Sequence, residues 1–125
     1  MNLLLDTHVL LWWLADDSRL GKRARDLIAD PENAVYLSAV VMWEIRIKQA
    51  IGKLDVPPDL RAVVDRQGFS ELPLTIDHSD ALAALPMHHR DPFDRMLVAQ
   101  ARSEGLTVLS ADDSFRAYEV PVVPA

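Results

Sequence analysis

Cysteine is absent from this chain of 125 residues. That excludes disulfides, thiolate metal sites and cysteine nucleophiles. Cations are in deficit, with 13 Lys and Arg against 19 Asp and Glu and a net charge of −6. Such a balance suits poorly a protein that grips nucleic acid through overall positive charge, although it leaves room for a local basic patch. Long hydrophobic runs are missing too. The longest, Val9–Ala15, falls far short of the roughly 20 residues of a membrane span. Asp6 interrupts the N-terminus too early for a signal peptide, so a soluble, cytoplasmic chain with no membrane partner is expected. No repeat, biased tract or linker divides the sequence, and a single domain over residues 1–125 is expected. Apolar residues make up 50% of the chain and charged residues 26%, enough to bury a core and too ordered a mix for a disordered segment.

Four glycines and eight prolines punctuate the chain. Apolar runs at Asn2–Leu5, Ala34–Leu37, Phe69–Leu74, Leu106–Leu109 and Val120–Val123 read as strands. Between them, helices are expected at Thr7–Ala15, Arg19–Ala29, Ala39–Ile51, Asp59–Arg66, Asp77–Ala84, Pro92–Glu104 and Asp112–Tyr118. Asp6 or Thr7 can cap the first, and Ser38 the third. Gly52 and Gly105 stand at helix ends, and Pro92 at a helix start. Alternation of apolar strands with helices indicates an α/β domain with a mostly parallel sheet. Ligands of such sheets bind beyond the carboxyl ends of the strands, so the residues just after each strand are the first candidates for chemistry.

Those positions are rich in acids and hydroxyls. Asp6-Thr7 follows the first strand, Ser38 the second, and Ser110-Ala111-Asp112-Asp113 the Leu106–Leu109 strand. Glu44 lies inside the third helix, and Asp91 and Asp94 open the Pro92–Glu104 helix. On a helical projection Val40, Trp43, Ile47, Ala50 and Ile51 form an apolar stripe with Glu44 at its edge. A carboxylate against a core-facing stripe costs several kcal/mol unless it is paired or binds a cation. Each acid also has a plain structural reading. Glu44 can pair with Arg or Lys, Asp6 and Asp112 can be N-caps, and Asp94 can simply favour a helix dipole. Convergence changes the weighing. Carboxylates from four segments meeting at one sheet edge would repel unless some took up protons or a hard divalent cation such as Mg²⁺ joined them. An all-oxygen acidic pocket with such a cation suits phosphodiester cleavage.

The ordered blocks Leu3-Leu4-Leu5-Asp6-Thr7-His8, Ser38…Trp43-Glu44-Ile45, His89-Arg90-Asp91-Pro92-Phe93-Asp94-Arg95 and Ser110-Ala111-Asp112…Phe115 resemble the PIN-domain family. The likeness is greatest to VapC-type ribonuclease toxins of type II toxin–antitoxin pairs, and it extends over essentially the whole chain. It implies a three-layer α/β/α fold with strand order 3-2-1-4-5. It also implies a metal-dependent endoribonuclease using Mg²⁺, or Mn²⁺ in its place. The four acidic roles, catalytic and metal-holding, fall on Asp6, Glu44, Asp94 and Asp112. Thr7 and Ser38 are hydroxyl neighbours, and Asp91 and Asp113 accessory acids. Arg90, Arg95 and Arg46 are candidates for RNA contact. For Lys48 a solvated helix face is the favoured reading. The expected partners are RNA, a VapB-like antitoxin covering the active site, and a second copy in a homodimer. The helix around Leu10–Leu14, apolar on nearly every side, is consistent with an interface.

Other acidic-pocket folds fit less well. A phosphorylated receiver domain needs a Lys after its fifth strand, and the chain has none beyond Lys53. A haloacid-dehalogenase-like phosphatase needs Asp-x-Asp, where this chain has Asp6-Thr7-His8. The remaining rival is a non-catalytic PIN-fold module that binds RNA or protein.

Overall fold

The computed structural model describes every residue except His89 and Arg90. Its frame is one five-stranded sheet in the order β3-β2-β1-β4-β5. The strands are β1 (Asn2–Leu5), β2 (Ala34–Ser38), β3 (Ser70–Leu72), β4 (Thr107–Ser110) and β5 (Val122–Pro124). All four pairings are parallel, with Leu4 opposite Tyr36 and Val108 in the central three strands. β1 lies in the middle. Its Leu3, Leu4 and Leu5 are consecutive and fully buried, as expected of a strand covered on both faces by crossover helices.

The helices are α1 (Thr7–Ala15), α2 (Lys22–Ala29), α3 (Ala39–Ala50), α4 (Leu60–Asp65), α5 (Ile76–Leu82) and α6 (Pro92–Glu104), with a 3₁₀ turn at Asp113–Ala117. Local chemistry sets most of their ends. Asp6 accepts from the Val9 N–H at 2.9 Å to cap α1, and Ser38 accepts from the Val40 N–H at 3.0 Å to cap α3. Asp91 accepts from the Phe93 and Asp94 N–H groups to cap α6, whose Pro92 at the first position has no N–H to satisfy. Gly105 closes α6 with φ of +67°, a left-handed conformation that a Cβ would oppose.

Several expected bounds shift, among them that of the last strand, expected at Val120–Val123 and found at Val122–Pro124, and three differences have a plain cause. α2 starts at Lys22, not Arg19, because the Asp17 carboxylate accepts from the Arg19 N–H at 2.9 Å and fixes a turn there. β3 is confined to Ser70–Leu72, since Pro73 cannot donate to a ladder. The third correction concerns α3. Its covered face carries Val40, Val41, Glu44 and Ile45, while Trp43 is 56% and Ile51 60% exposed. Glu44 therefore sits within the buried face, not at its edge. The sheet and α6 decide which side of α3 is covered, and local apolarity alone does not.

The chain runs from β1 outward to β2 and β3, then returns past β1 to β4 and β5. That reversal opens a crevice at the carboxyl ends of β1 and β4, the switch point where open α/β sheets place ligands.

Candidate active site

Asp6 leaves the end of β1 and Ser110 the end of β4, so both sit at the switch point. The Asp6 N–H donates to Leu109 O at 3.2 Å, tying the two strand ends together. Asp6 is 5% exposed. One of its carboxylate oxygens caps α1 and the other accepts a short hydrogen bond from the Ser110 hydroxyl. The same Ser110 oxygen accepts from the Asp112 N–H at 2.9 Å. Ser110 thus bridges two of the expected acids. Burial pushes the Asp6 carboxyl above its ordinary range. The bonds from Ser110 and Val9 and the charge of His8 oppose the rise, and the Asp112 charge adds to it. Asp112 caps the 3₁₀ turn through the Ser114 N–H at 2.9 Å.

A second arm starts at Thr7. Its hydroxyl donates to Glu44 Oε1 at 2.6 Å, across the packing of α1 on α3. The other Glu44 oxygen, Oε2, is held by the Lys48 ammonium one turn along α3. Lys48 also feels the charges of Asp91 and Asp94 at the start of α6. The Glu44 hydrogen bond, ahead of those charges, holds the ammonium above its ordinary pKa against a partial burial that acts the other way. Asp112, Ser110, Asp6, Thr7, Glu44 and Lys48 therefore form one connected path around the crevice, and the charges of Asp91 and Asp94 act on its Lys48 end. Among the described residues, no three His, Asp or Glu side chains close into a ready metal cage. The acids are spaced by Ser110, Thr7 and Lys48.

Other expected residues go elsewhere. Ser38 is buried, and its hydroxyl donates to Gln100 Oε1 at 2.6 Å. The Gln100 amide nitrogen reaches Pro73 O at 3.4 Å and His78 Nδ1 at 3.3 Å. His78 Nδ1 also accepts from the Thr75 N–H, so its proton sits on Nε2, which donates to Glu104 Oε1 at 2.8 Å. Ser38 thus anchors an interior polar chain. Arg46 lies on the far side of α3 from Glu44. It bonds Gln49 at 2.9 Å and lines a separate groove with Leu37, Met42, Trp43, Val64 and Phe69. Arg95 donates to Pro86 O at 2.9 Å and lies 3.4 Å from the Tyr118 hydroxyl. Asp113 is exposed and stands 3.9 Å from Arg116. Arg90 lies outside the described residues.

Two residues of the site are not legible as such from sequence. Lys48 reads as a solvated face, yet its spacing of four from Glu44 is the signal for a pair on one helix face. Ser110 stands in a recognisable block, but only the fold shows its hydroxyl joining Asp6 to Asp112.

The five-stranded parallel sheet in the order 3-2-1-4-5 has known counterparts. The PIN domain family model matches residues 3–121, and the chain belongs to that family. Ribonuclease VapC22 of Mycobacterium tuberculosis is 28% identical over 96% of this chain and 94% of its own length. Solved structures agree in fold. VapBC2 of Rickettsia felis, bound to a DNA fragment of its promoter, superposes with a TM-score of 0.75 at 13% identity, over 99% of this chain and 98% of the other. VapBC-5 of M. tuberculosis, described as a member of a toxin–antitoxin family, gives 0.64 at 23% identity, over 99% and 98%.

Proposed function

We propose that the chain is a metal-dependent endoribonuclease, the toxin of a toxin–antitoxin pair. The observation that carries this reading is the hydrogen-bonded path that joins Asp112 and Asp6 through Ser110, and, from neighbouring Thr7, runs to Glu44 and Lys48, on which the charges of Asp91 and Asp94 act. Similarity to a ribonuclease over nearly the whole chain supports it.

The donor set fits a hard cation. Every expected ligand is a carboxylate oxygen, and no thiolate is available. The raised proton affinity of buried Asp6 marks a carboxylate whose ionised form needs a positive neighbour. Asp6, Asp94 and Asp112 would hold Mg²⁺ or Mn²⁺. Glu44, with each oxygen already bonded by Thr7 or Lys48, would act through water. When bound, the ion supplies a water of lowered pKa and offsets charge on the phosphate and the leaving oxygen. The chain's own part is positioning. The Val9 N–H and the Ser110 hydroxyl fix both oxygens of Asp6. Asp112 would complete the metal site or orient the attacking water, and departure of the 3′ oxygen would leave a 5′-phosphate product. Arg95, Arg90 and Arg46 remain candidates to contact the RNA backbone, and Arg46 could do so only from the groove beside Trp43.

The antitoxin, the homodimer and a cytoplasmic setting belong to the same proposal. Toxin–antitoxin complexes among the structural neighbours support a VapB-like partner. The partly covered Leu11, Trp12, Trp13 and Leu14 of α1 support an interface with a second copy. Among the described residues no helix is long and apolar enough to cross a membrane. One observation favours the rival reading of a non-catalytic module, namely that Lys48 already neutralises Glu44.

Cleavage decides between the two. Purified chain, free of any partner, should cut single-stranded RNA with Mg²⁺ or Mn²⁺ and stop on chelation. Asp6→Asn and Asp94→Asn should each lower the rate by at least about a hundredfold, the scale of losing an electrostatic catalytic group. A folded wild type that leaves RNA intact under both metals would establish the binding module instead.

A further inference from the structure

The ammonium of Lys48 stands inside the acidic path. Its nitrogen bonds Glu44, a residue 4% exposed. It belongs to the last turn of α3, and the charges of Asp91 and Asp94 at the start of α6 act on it. Arg46, two positions earlier, points into the groove on the other side of the helix. Lys48 is also well placed to be held there. A Glu followed by a Lys four residues later is the favourable orientation of a helical pair, and Thr7 fixes the other oxygen of Glu44 at 2.6 Å. Removing the ammonium would leave a buried carboxylate with the Thr7 hydroxyl but no countercharge, a more costly state than losing a surface ion pair.

We propose that Lys48 is a resident cation of this centre. It occupies the Glu44 side of the acidic cluster permanently, so that one divalent ion, held on the Asp6, Asp94 and Asp112 side, completes the site. The proposal rests on the metal-centre reading above and adds a positioning residue to it. Lys48 acts through Glu44 and through the charge it contributes, and it takes no part in bond making. Two consequences follow from Coulomb's law. The fixed charge keeps the acids together without metal, and it weakens metal binding by repulsion. Removing it should therefore tighten Mn²⁺ binding, by about tenfold for charges several ångströms apart near a protein surface. A merely structural lysine predicts the opposite, because a disordered Glu44 would weaken the site.

The test is Mn²⁺ titration of the full chain without RNA, by calorimetry and by the metal-induced rise in melting temperature. Wild type, Lys48→Met, Lys48→Arg and Asp6→Asn are compared. The expected pattern has four parts. Wild type binds one ion. Lys48→Met melts lower without metal but binds Mn²⁺ about tenfold tighter, and the gain shrinks in high salt. Lys48→Arg stays within about twofold of wild type. Asp6→Asn loses binding. Should Lys48→Met fail to fold, Lys48→Gln, which keeps a hydrogen-bond donor but no charge, carries the same expectation. Equal or weaker Mn²⁺ binding in the uncharged variants, with Asp6→Asn still defective, overturns the resident cation and leaves the metal centre standing. Binding by wild type and Asp6→Asn alike, or by neither, overturns both.

Discussion

Asp6 does two things with one side chain. Its Oδ1 caps α1, and its Oδ2 binds the Ser110 hydroxyl at the rim of the proposed centre. The capping role and the site role are therefore compatible, and the same holds for Asp91 and Asp112, each the cap of its own turn. Asp6 also bears a cost, since burial raises its pKa above the ordinary 3.8. The folded state then binds a proton more tightly than the unfolded one. The stabilisation from that proton is fully present below about pH 3.8, the unfolded value, and is lost as pH rises through the higher folded value. At neutral pH and without metal, the buried charge thus works against folding. Asp6→Asn, which preserves a capping oxygen, should raise the melting temperature of the metal-free chain by a few degrees at pH 7. The gain should vanish at pH 3.5. A thermal melt at both pH values checks this, and a large loss at pH 7 would give Asp6 a purely structural role.

At the scale of elements, the interior polar chain Ser38–Gln100–His78–Glu104 joins the start of α3, α6 and the capping box of α5. Gln100 is fully buried, and its Oε1 and both N–H donors have partners. Gln100→Leu keeps the volume but leaves the Ser38 hydroxyl without its acceptor. It should cost about 1–3 kcal/mol in denaturant unfolding while sparing the acids of the crevice. Gly105→Ala, forced to hold φ of +67°, should cost about 1 kcal/mol by the same measurement. Elements differ in how openly the sequence declares them. Both ends of α6 are written in local chemistry, Asp91-Pro92 at one and Gly105 at the other, and its observed span Pro92–Glu104 matches the expected one. The covered face of α3 is not legible. Val40, Val41, Trp43, Ile45, Ile47 and Ile51 offer apolar residues on several sides, and only packing against the sheet, α1 and α6 selects one. Ser38 shows the same limit, because a capping hydroxyl looks alike whether its proton faces a metal centre or a buried glutamine 62 positions away.

Across the whole molecule, a deficit of cations and a gathered set of carboxylates have a shared consequence. The chain has a net charge of −6, and the Asp112 charge acts against the ionised form of buried Asp6; a divalent ion bound at the proposed centre would relieve that repulsion. The sheet order explains why the charges accumulate there, since only the switch point between β1 and β4 brings chain segments so distant in sequence to one rim. A ligand that binds the folded chain alone stabilises it by mass action, by about 2.7 kcal/mol at a hundred times its dissociation constant. For a domain of this size that corresponds to a rise of about 10 °C in melting temperature. Mn²⁺ should produce such a rise in the wild type, and a chelator should reverse it. Monovalent salt at matched ionic strength should recover only a small part, because screening acts weakly on the buried Asp6. The rise should be absent in Asp94→Asn, whose fold is otherwise intact by circular dichroism. Equal stabilisation by Mn²⁺ and by matched NaCl would mean that general charge screening, not a bound ion, governs this acidic rim.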